Sequence, residues 1–261
     1  MTSKAEFWKN KVAFITGASS GIGRALSLEI AGLGGRLGLA ARRQDELESL
    51  QNEIFAKCSD AKIYSLDVSD ENAVKAAVDN LVETYGKIDI IIANAGISGN
   101  DELTRKGDPA GVRRVIETNF MGAVNTASAA IPYMLRQKRG HLVAISSLAA
   151  YRGLLRSGSY CASKAAMTKY FESLRLDLSH KGIKVTIIHP GFIKTPLTAG
   201  RQNKMPFLME LEDSIPLFLK AIEKQKPFAA FPFPLAMLVR LGLIMPAFLY
   251  DKIAGSLRYR E

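Results

Sequence analysis

Cysteine is scarce: Cys58 and Cys161 are the only two thiols, far apart and without a Cys-x-x-Cys neighbour. That excludes a disulfide-stapled scaffold and fits a reducing compartment. Histidine is nearly as sparse. His141, His180 and His189 have no His-Glu-x-x-His or Cys-x-x-Cys companions, so the sequence offers no ligand set and no metal is expected. Met1 to Asn10 is polar, mixed in charge and lacks the apolar run of a secretory signal, so a cytoplasmic location is expected. Acidic residues are in deficit, 25 against 35 Lys and Arg, a net charge of +10. Basic residues nonetheless never run more than two or three together. That is the pattern of a solvated surface, and no nucleic-acid partner is expected. A site for a polyanionic cofactor, with an acidic partner or a membrane surface, is the other reading of the charge.

What is present is a chain of 261 residues, 48% of them hydrophobic, enough to bury one large core. A single domain is expected. Apolar runs alternate with amphipathic stretches. Strands are expected at 12–16, 36–41, 61–67, 88–93, 141–146, 184–189 and 227–231. Helices are expected at 22–33, 45–57, 70–85, 109–138, 157–180 and 211–226. Such alternation means parallel βαβ units, and continuous runs such as Ile90-Ile91-Ile92 suit strands covered on both faces. Right-handed crossovers then bring every strand's C-terminal end to one edge of the sheet, where ligands bind.

The stretch from Val12 to Gly23 organises the rest. An apolar run breaks into Thr16-Gly17-Ala18-Ser19-Ser20-Gly21-Ile22-Gly23, with glycines at G-x-x-x-G-x-G spacing, before a helix begins. Missing side chains let the backbone turn sharply and approach a ligand closely. The free N–H groups and dipole of the helix then face that gap, which suits a pyrophosphate. Alone, such a turn could also be a crossover in any α/β protein, the less favoured reading. The end of the second strand bears on the cofactor. An acid there would accept bonds from ribose hydroxyls, but the chain has Ala41 followed by Arg42 and Arg43. Guanidinium groups at that position grip a 2′-phosphate, pointing to NADP(H). Asp67-Val68 and Asn94-Ala95-Gly96 close the next two strands, the first pair placed to meet an adenine and the second to let a ribose approach.

Ser147, Tyr160 and Lys164 form the sharpest constellation. Tyr160 and Lys164 stand four apart on an expected helix, so they share a face about one turn, roughly 6 Å, apart. A phenol is a poor base at neutral pH, but a nearby ammonium favours the phenolate and makes Tyr160 a proton donor or acceptor for a carbonyl and alcohol pair. The Ser147 hydroxyl would hold the same oxygen. Asn119 sits mid-helix, where it would carry a water or bend the helix, although an Asn there is more often exposed or locally satisfied.

Taken together and in order, these residues closely resemble the classical short-chain dehydrogenase/reductase family from about Lys11 to Thr195. The resemblance implies a Rossmann-like, doubly wound parallel sheet, with Tyr160 as general acid/base and Lys164 both tuning it and binding the nicotinamide ribose. It implies Ser147 as the substrate-oxygen partner and Asn119 as a link in a water-mediated proton relay. Cofactor contacts are implied along Gly17, Ser19, Ser20, Gly21, Ile22 and Gly23. They continue at Arg42, Arg43, Asp67, Val68, Asn94, Ala95, Gly96, Pro190 and Gly191, and at Ile193 and Thr195, which look like positions contacting the carboxamide. A homodimer or homotetramer is implied as well.

Beyond Thr195 the likeness weakens. Residues 1–10 are expected as a tail, 11–195 as the cofactor-binding and catalytic core, 196–231 as a substrate lid and last strand, and 232–261 as an apolar helical extension. Leu235 to Leu249 carries only Arg240 as a charge and is shorter than the roughly 20 residues that span a bilayer. Packing against its own or a partner subunit is the first reading, and peripheral contact with a membrane the second. Leu148, Tyr151, Leu154 and Leu155, with Phe192, Leu197, Met205, Phe207 and Leu208, suggest a lipophilic small-molecule substrate. The expected function is an NADP(H)-dependent oxidoreductase interconverting a carbonyl and a secondary alcohol. A 3-oxoacyl thioester reductase acting on an acyl carrier protein or CoA is the alternative, and a non-catalytic NADP(H) sensor a more distant one.

Overall fold

A computed structural model describes residues 4–56, 60–98, 107–199 and 205–256. Cys58 lies outside them. Seven strands form one parallel sheet: β1 (Val12–Thr16), β2 (Arg36–Ala41), β3 (Ala61–Ser65), β4 (Ile90–Ala93), β5 (Gly140–Ile145), β6 (Ile183–Pro190) and β7 (Phe228–Phe231). Their order is β3-β2-β1-β4-β5-β6-β7, so β1 lies between β2 and β4, with Ala13 opposite both Leu37 and Ile90. Strand order reverses there, and the crevice outside the carboxyl ends at such a switch point is where open α/β sheets hold ligands. This is the Rossmann-like single domain read from the sequence.

The connecting helices are α1 (Lys4–Trp8), α2 (Gly21–Gly32), α3 (Gln44–Phe55), α4 (Glu71–Tyr85), α5 (Pro109–Ile116), α6 (Gly122–Gln137), α7 (Gly158–Leu178), α8 (Leu211–Glu223), α9 (Phe233–Ile244) and α10 (Ala247–Ser256). The pleat divides the core in two. Ala13 and Ile15 pack with Leu26, Leu47 and Phe218 of α2, α3 and α8. Val12 and Phe14 pack with Leu81, Met134 and Phe171 of α4, α6 and α7. Local chemistry sets the helix ends. Asp70 and Asp108 accept the backbone N–H of Ala73 and Gly111, each at 3.0 Å, the preferred N-cap arrangement. Gly86, at φ +73°, closes α4 in the left-handed conformation.

Two expectations need correction. The polar N-terminus contains α1, whose Trp8 is fully buried and donates Nε1–H to Glu223 Oε1 at 2.9 Å. Its amphipathic turn is too short for a periodicity argument to detect. The long helix expected over 109–138 is interrupted by a five-residue π turn, Glu117–Met121. The apolar extension is two helices, because Met245 is extended ahead of Pro246, as a residue preceding proline prefers.

Candidate active site

The loop from β1 into α2 is drawn against the end of β4. The Thr16 hydroxyl accepts the backbone N–H of Asn94 at 3.1 Å and of Ala95 at 3.2 Å, while Asn94 Nδ2 donates to the Thr16 and Gly17 carbonyls at 2.9 and 3.3 Å. Side chains are therefore barred. A Cβ on Gly17, already at φ +68°, would stand 2.8 Å from Ala95 Cα, and one on Gly23 would overlap the Gly17 carbonyl. Ser20 takes the N-cap of α2 without a side-chain cap bond. The bare backbone of this cradle suits a dinucleotide pyrophosphate. Thr195 closes over it, since a Cβ on Gly21 would come 3.3 Å from the Thr195 side chain.

Two arginines stand at the end of β2. The Arg42 and Arg43 side chains are 66% and 52% exposed. Arg43 Nη2 donates to Ser19 Oγ at 3.1 Å, tying it to the glycine loop. Arg42 lies 3.8 Å from Asp67 Oδ2. Partial burial pushes the Asp67 carboxyl up, but the Ser69 backbone N–H and hydroxyl, at 2.9 and 2.8 Å, together with Arg42 hold it below its ordinary value.

The other candidate groups come from the other half of the sheet. Ser147 follows β5, where its Oγ accepts the Ala149 N–H at 3.1 Å and approaches the Pro190 carbonyl at 3.5 Å. Tyr160 and Lys164 share a face of α7, the ammonium 5.9 Å from the phenol ring centre. Lys164 is buried, with Nζ donating to the Ile145 carbonyl at 2.8 Å. Burial pulls its pKa down to about 8. Asn119 lies in the π turn and is fully buried. Its Oδ1 accepts the Ile97 N–H at 2.7 Å, and its Nδ2 donates to the Ile97 carbonyl and Ser163 Oγ, both at 3.0 Å. An exposed asparagine is thus ruled out, and the π register is what turns the side chain inward.

One cleft of about 1120 Å³ gathers these groups. It is lined by Gly17, Ser19, Ser20, Gly21, Ile22, Arg42, Arg43, Asp67, Val68, Asn94, Ala95 and Gly96 at one end. Ser147, Tyr160, Lys164, Pro190, Gly191, Ile193 and Thr195 line its middle. Gly23 and Asn119 are absent from the wall. Asn119 stands behind it, as a Cβ on Gly96 would lie 3.3 Å from Asn119 Oδ1 and 3.5 Å from Lys164 Nζ. A family model described as short chain dehydrogenase matches residues 11–206.

The chain belongs to the short-chain dehydrogenases. It is 41% identical over 248 residues to an uncharacterized oxidoreductase of Myxococcus xanthus, covering 95% of this chain and 98% of the relative. The 11-beta-hydroxysteroid dehydrogenase 1A of Arabidopsis thaliana is 39% identical over 193 residues, 73% of this chain, which spans only 54% of that relative. Among solved structures, a short chain dehydrogenase from Mycobacterium paratuberculosis bound to NAD superimposes with a TM-score of 0.76 at 26% identity, covering 86% of this chain and 96% of that one. A short-chain type dehydrogenase/reductase from Mycobacterium marinum reaches 0.80 at 25% identity, covering 94% and 100%. This short-chain dehydrogenase is therefore an oxidoreductase of a family that binds NAD(P)(H) and acts on small molecules.

Sequence reasoning missed part of the dehydrogenase's cleft. Arg152, Thr118 and Tyr250 line it, as does α9 through Leu235, Leu238, Val239 and Gly242. Arg152 carries no signal in the sequence, because Arg156 follows four residues later and the pair reads as surface charge. Of the apolar residues singled out for the substrate, Leu148, Leu154, Leu155, Phe192, Leu197 and Met205 line the cleft, while Tyr151, Phe207 and Leu208 do not. The Tyr151 ring instead packs 5.2 Å from His189. Among the described residues, no group of three or more His, Cys, Asp and Glu is placed to hold a metal, and no helix is long and apolar enough to cross a membrane.

Proposed function

We propose that this short-chain dehydrogenase is NADP(H)-dependent and interconverts a carbonyl and a secondary alcohol on a lipophilic small molecule. The observation that carries the reading is the convergence of Ser147, Tyr160 and Lys164 on one cleft whose far end holds Arg42 and Arg43 where an acid would select NAD. The nicotinamide, when bound, supplies the hydride exchanged with the carbinol carbon. Tyr160 gives the carbonyl oxygen its proton in reduction and removes it in oxidation. Ser147 orients that oxygen from the end of β5. Lys164, fixed at 2.8 Å to the Ile145 carbonyl, places a positive charge beside the phenol and faces the ribose position beside Gly96. Asn119 holds the Ile97 backbone and α7 together behind Gly96, through bonds to Ile97 and Ser163, which keeps the wall in register for proton movement.

Leu148, Leu154, Leu155 and Phe192 support an apolar substrate, as does the steroid named for the Arabidopsis relative. A homodimer or homotetramer belongs to the reading, in a family that is often oligomeric. The test is a screen of steroid, retinoid, fatty-acyl ketone and 3-oxoacyl thioester substrates followed by NADPH absorbance. Tyr160→Phe is expected to lower turnover of any hit by about 10²- to 10⁴-fold while NADPH still binds. Unchanged turnover refutes the role of Tyr160, and silence across the screen favours a non-catalytic sensor.

A further inference from the structure

Proline at 246 leaves the end of α9 short of a donor, and a residue remote in the chain supplies one. In a continuous helix the Gly242 carbonyl would accept the N–H of residue 246, but Pro246 has none. Met245 is extended ahead of it, and the N–H groups of Leu249 and Tyr250 both turn back to the Pro246 carbonyl at 3.1 Å. Arg152 fills the gap. Its Nη1 donates to the Gly242 and Met245 carbonyls at 2.5 and 3.0 Å, which sets a cation on the negative end of the helix dipole. The guanidinium lies 4.1 Å from the centre of the Tyr250 ring in α10, and Tyr250 Oη donates to the Gly153 carbonyl at 2.6 Å.

Burial anchors the start of the helix pair and not its end. Leu235 and Ala236 pack with Leu148, and the Arg240 guanidinium lies 5.4 Å from the Phe228 ring centre in β7. Past that point Gly242 is buried, and none of residues 247–254 is. A helix with so little apolar area removed from water takes its place from directional contacts instead. Those contacts shape the cleft, because Arg152, Gly242, Met245 and Tyr250 all line it, as does Ile253. Arg152 also stands on the stretch that joins Ser147 to Tyr160, five residues after the first and eight before the second. The wall is therefore tied to the segment that presents the candidate catalytic side chains.

We propose that Arg152 is a positioning residue: it fixes α10 and the last turn of α9 as the far wall of the substrate half of the cleft, and so sets the fit of the substrate's apolar part. That this half takes the substrate rests on the proposed function; the clasp itself does not. With Leu238, Val239 and Ile253 on the wall, the class selected is a ketone or secondary alcohol whose apolar part reaches α10. Arg152 serves main-chain carbonyls and an aromatic ring, not a carboxylate of the substrate.

Hydrogen exchange of the whole protein, read by mass spectrometry, tests the clasp. Arg152→Ala should speed exchange of residues 242–254 by about tenfold or more, through the loss of two charge-assisted hydrogen bonds, while 233–240 and β1 keep wild-type protection. Tyr250→Phe keeps the ring beneath the cation and loses one hydrogen bond, so it should give a smaller effect in the same segment. Arg152→Lys, which keeps the charge and its donors without the flat face, should recover part of the protection. In turnover of a steroid or long-chain ketone, Arg152→Ala is expected to raise KM about tenfold and to change kcat by less than about threefold, the split expected when substrate binding is lost and the chemistry at Tyr160 is intact. The proposal is overturned if 242–254 exchange as slowly as in the wild type, if protection is lost evenly along the chain, or if the segment loosens with KM unaltered. A KM that rises solely for ketones bearing a carboxylate also overturns it, by making Arg152 a ligand for that group. Exchange needs no substrate, so an absence of turnover across the ketones refutes the proposed function and leaves the exchange result to decide the clasp.

Discussion

Replacing Arg42 and Arg43 together by Ala is expected to turn a cofactor preference into near indifference. Two unit charges about 4 Å apart attract by roughly 1 kcal/mol in water and about 4 kcal/mol at an effective dielectric of 20. With side chains 66% and 52% exposed, both guanidiniums belong near the weaker limit. Both also have partners to share, Arg42 with Asp67 at 3.8 Å and Arg43 with Ser19 at 3.1 Å. About 1 kcal/mol for each arginine, somewhat more where the contact is a charge-assisted hydrogen bond, gives about 2–3 kcal/mol for the pair. That is roughly 30- to 150-fold weaker NADPH binding. NADH, which lacks the 2′-phosphate, should change by no more than about twofold, because the glycine cradle and the ends of β4 and β5 are untouched. Adding Ala41→Asp should weaken NADPH further by like-charge repulsion and strengthen NADH through its ribose hydroxyls. Fluorescence titration of the wild type and both variants with each nucleotide measures these affinities. Unaltered NADPH binding, or equal losses for both nucleotides, would refute the assignment of these arginines to a 2′-phosphate.

Two further outcomes follow from buried groups. Burial lowers Lys164 to about 8 from an ordinary value of 10.5. Between these values the unfolded chain binds a proton that the native one lacks, so this site's contribution to stability rises with pH across that window and is most adverse below it. Lys164→Met should therefore stabilise the cofactor-free protein at pH 7 by on the order of 1–3 kcal/mol, net of the lost bond to Ile145, while abolishing turnover. The gain should shrink toward pH 10, as urea unfolding at both pH values will report; a gain independent of pH contradicts the buried cation. Trp8→Ala should cost about 3–5 kcal/mol, measured by circular dichroism in urea. A loss under about 1 kcal/mol would mean that α1 is not part of the core.

The legible parts of the sequence were those where one residue type has one physical use. Glycine at 17 and 23 marks backbone too close to β4 for a Cβ, and apolar runs such as Ile90-Ile91-Ile92 mark strands covered on both faces. Other features depend on partners remote in the chain. Trp8 finds Glu223 only after the sheet is built. Asn119 is turned inward by a π register that no local periodicity encodes, and its partners are Ile97 and Ser163. Arg152 reads as a surface cation until α9 returns its carbonyls to it. β3 ends at Ser65, two residues short of the expected 67, because the Asp67 carboxylate takes the Ser69 N–H in a turn instead of continuing the ladder.

The position of β1 has a consequence for synthesis. β1 and β2 are synthesised well before β4, so the edge of β1 that pairs with β4 has no native partner until Ile90, opposite Ala13, has been made. Through that interval a strand of Val12, Ala13, Phe14, Ile15 and Thr16 offers an open, apolar edge to any neighbouring nascent chain. Chaperone capture is most needed there, and slowing translation between β3 and β4 should raise aggregation more than an equal delay after β5.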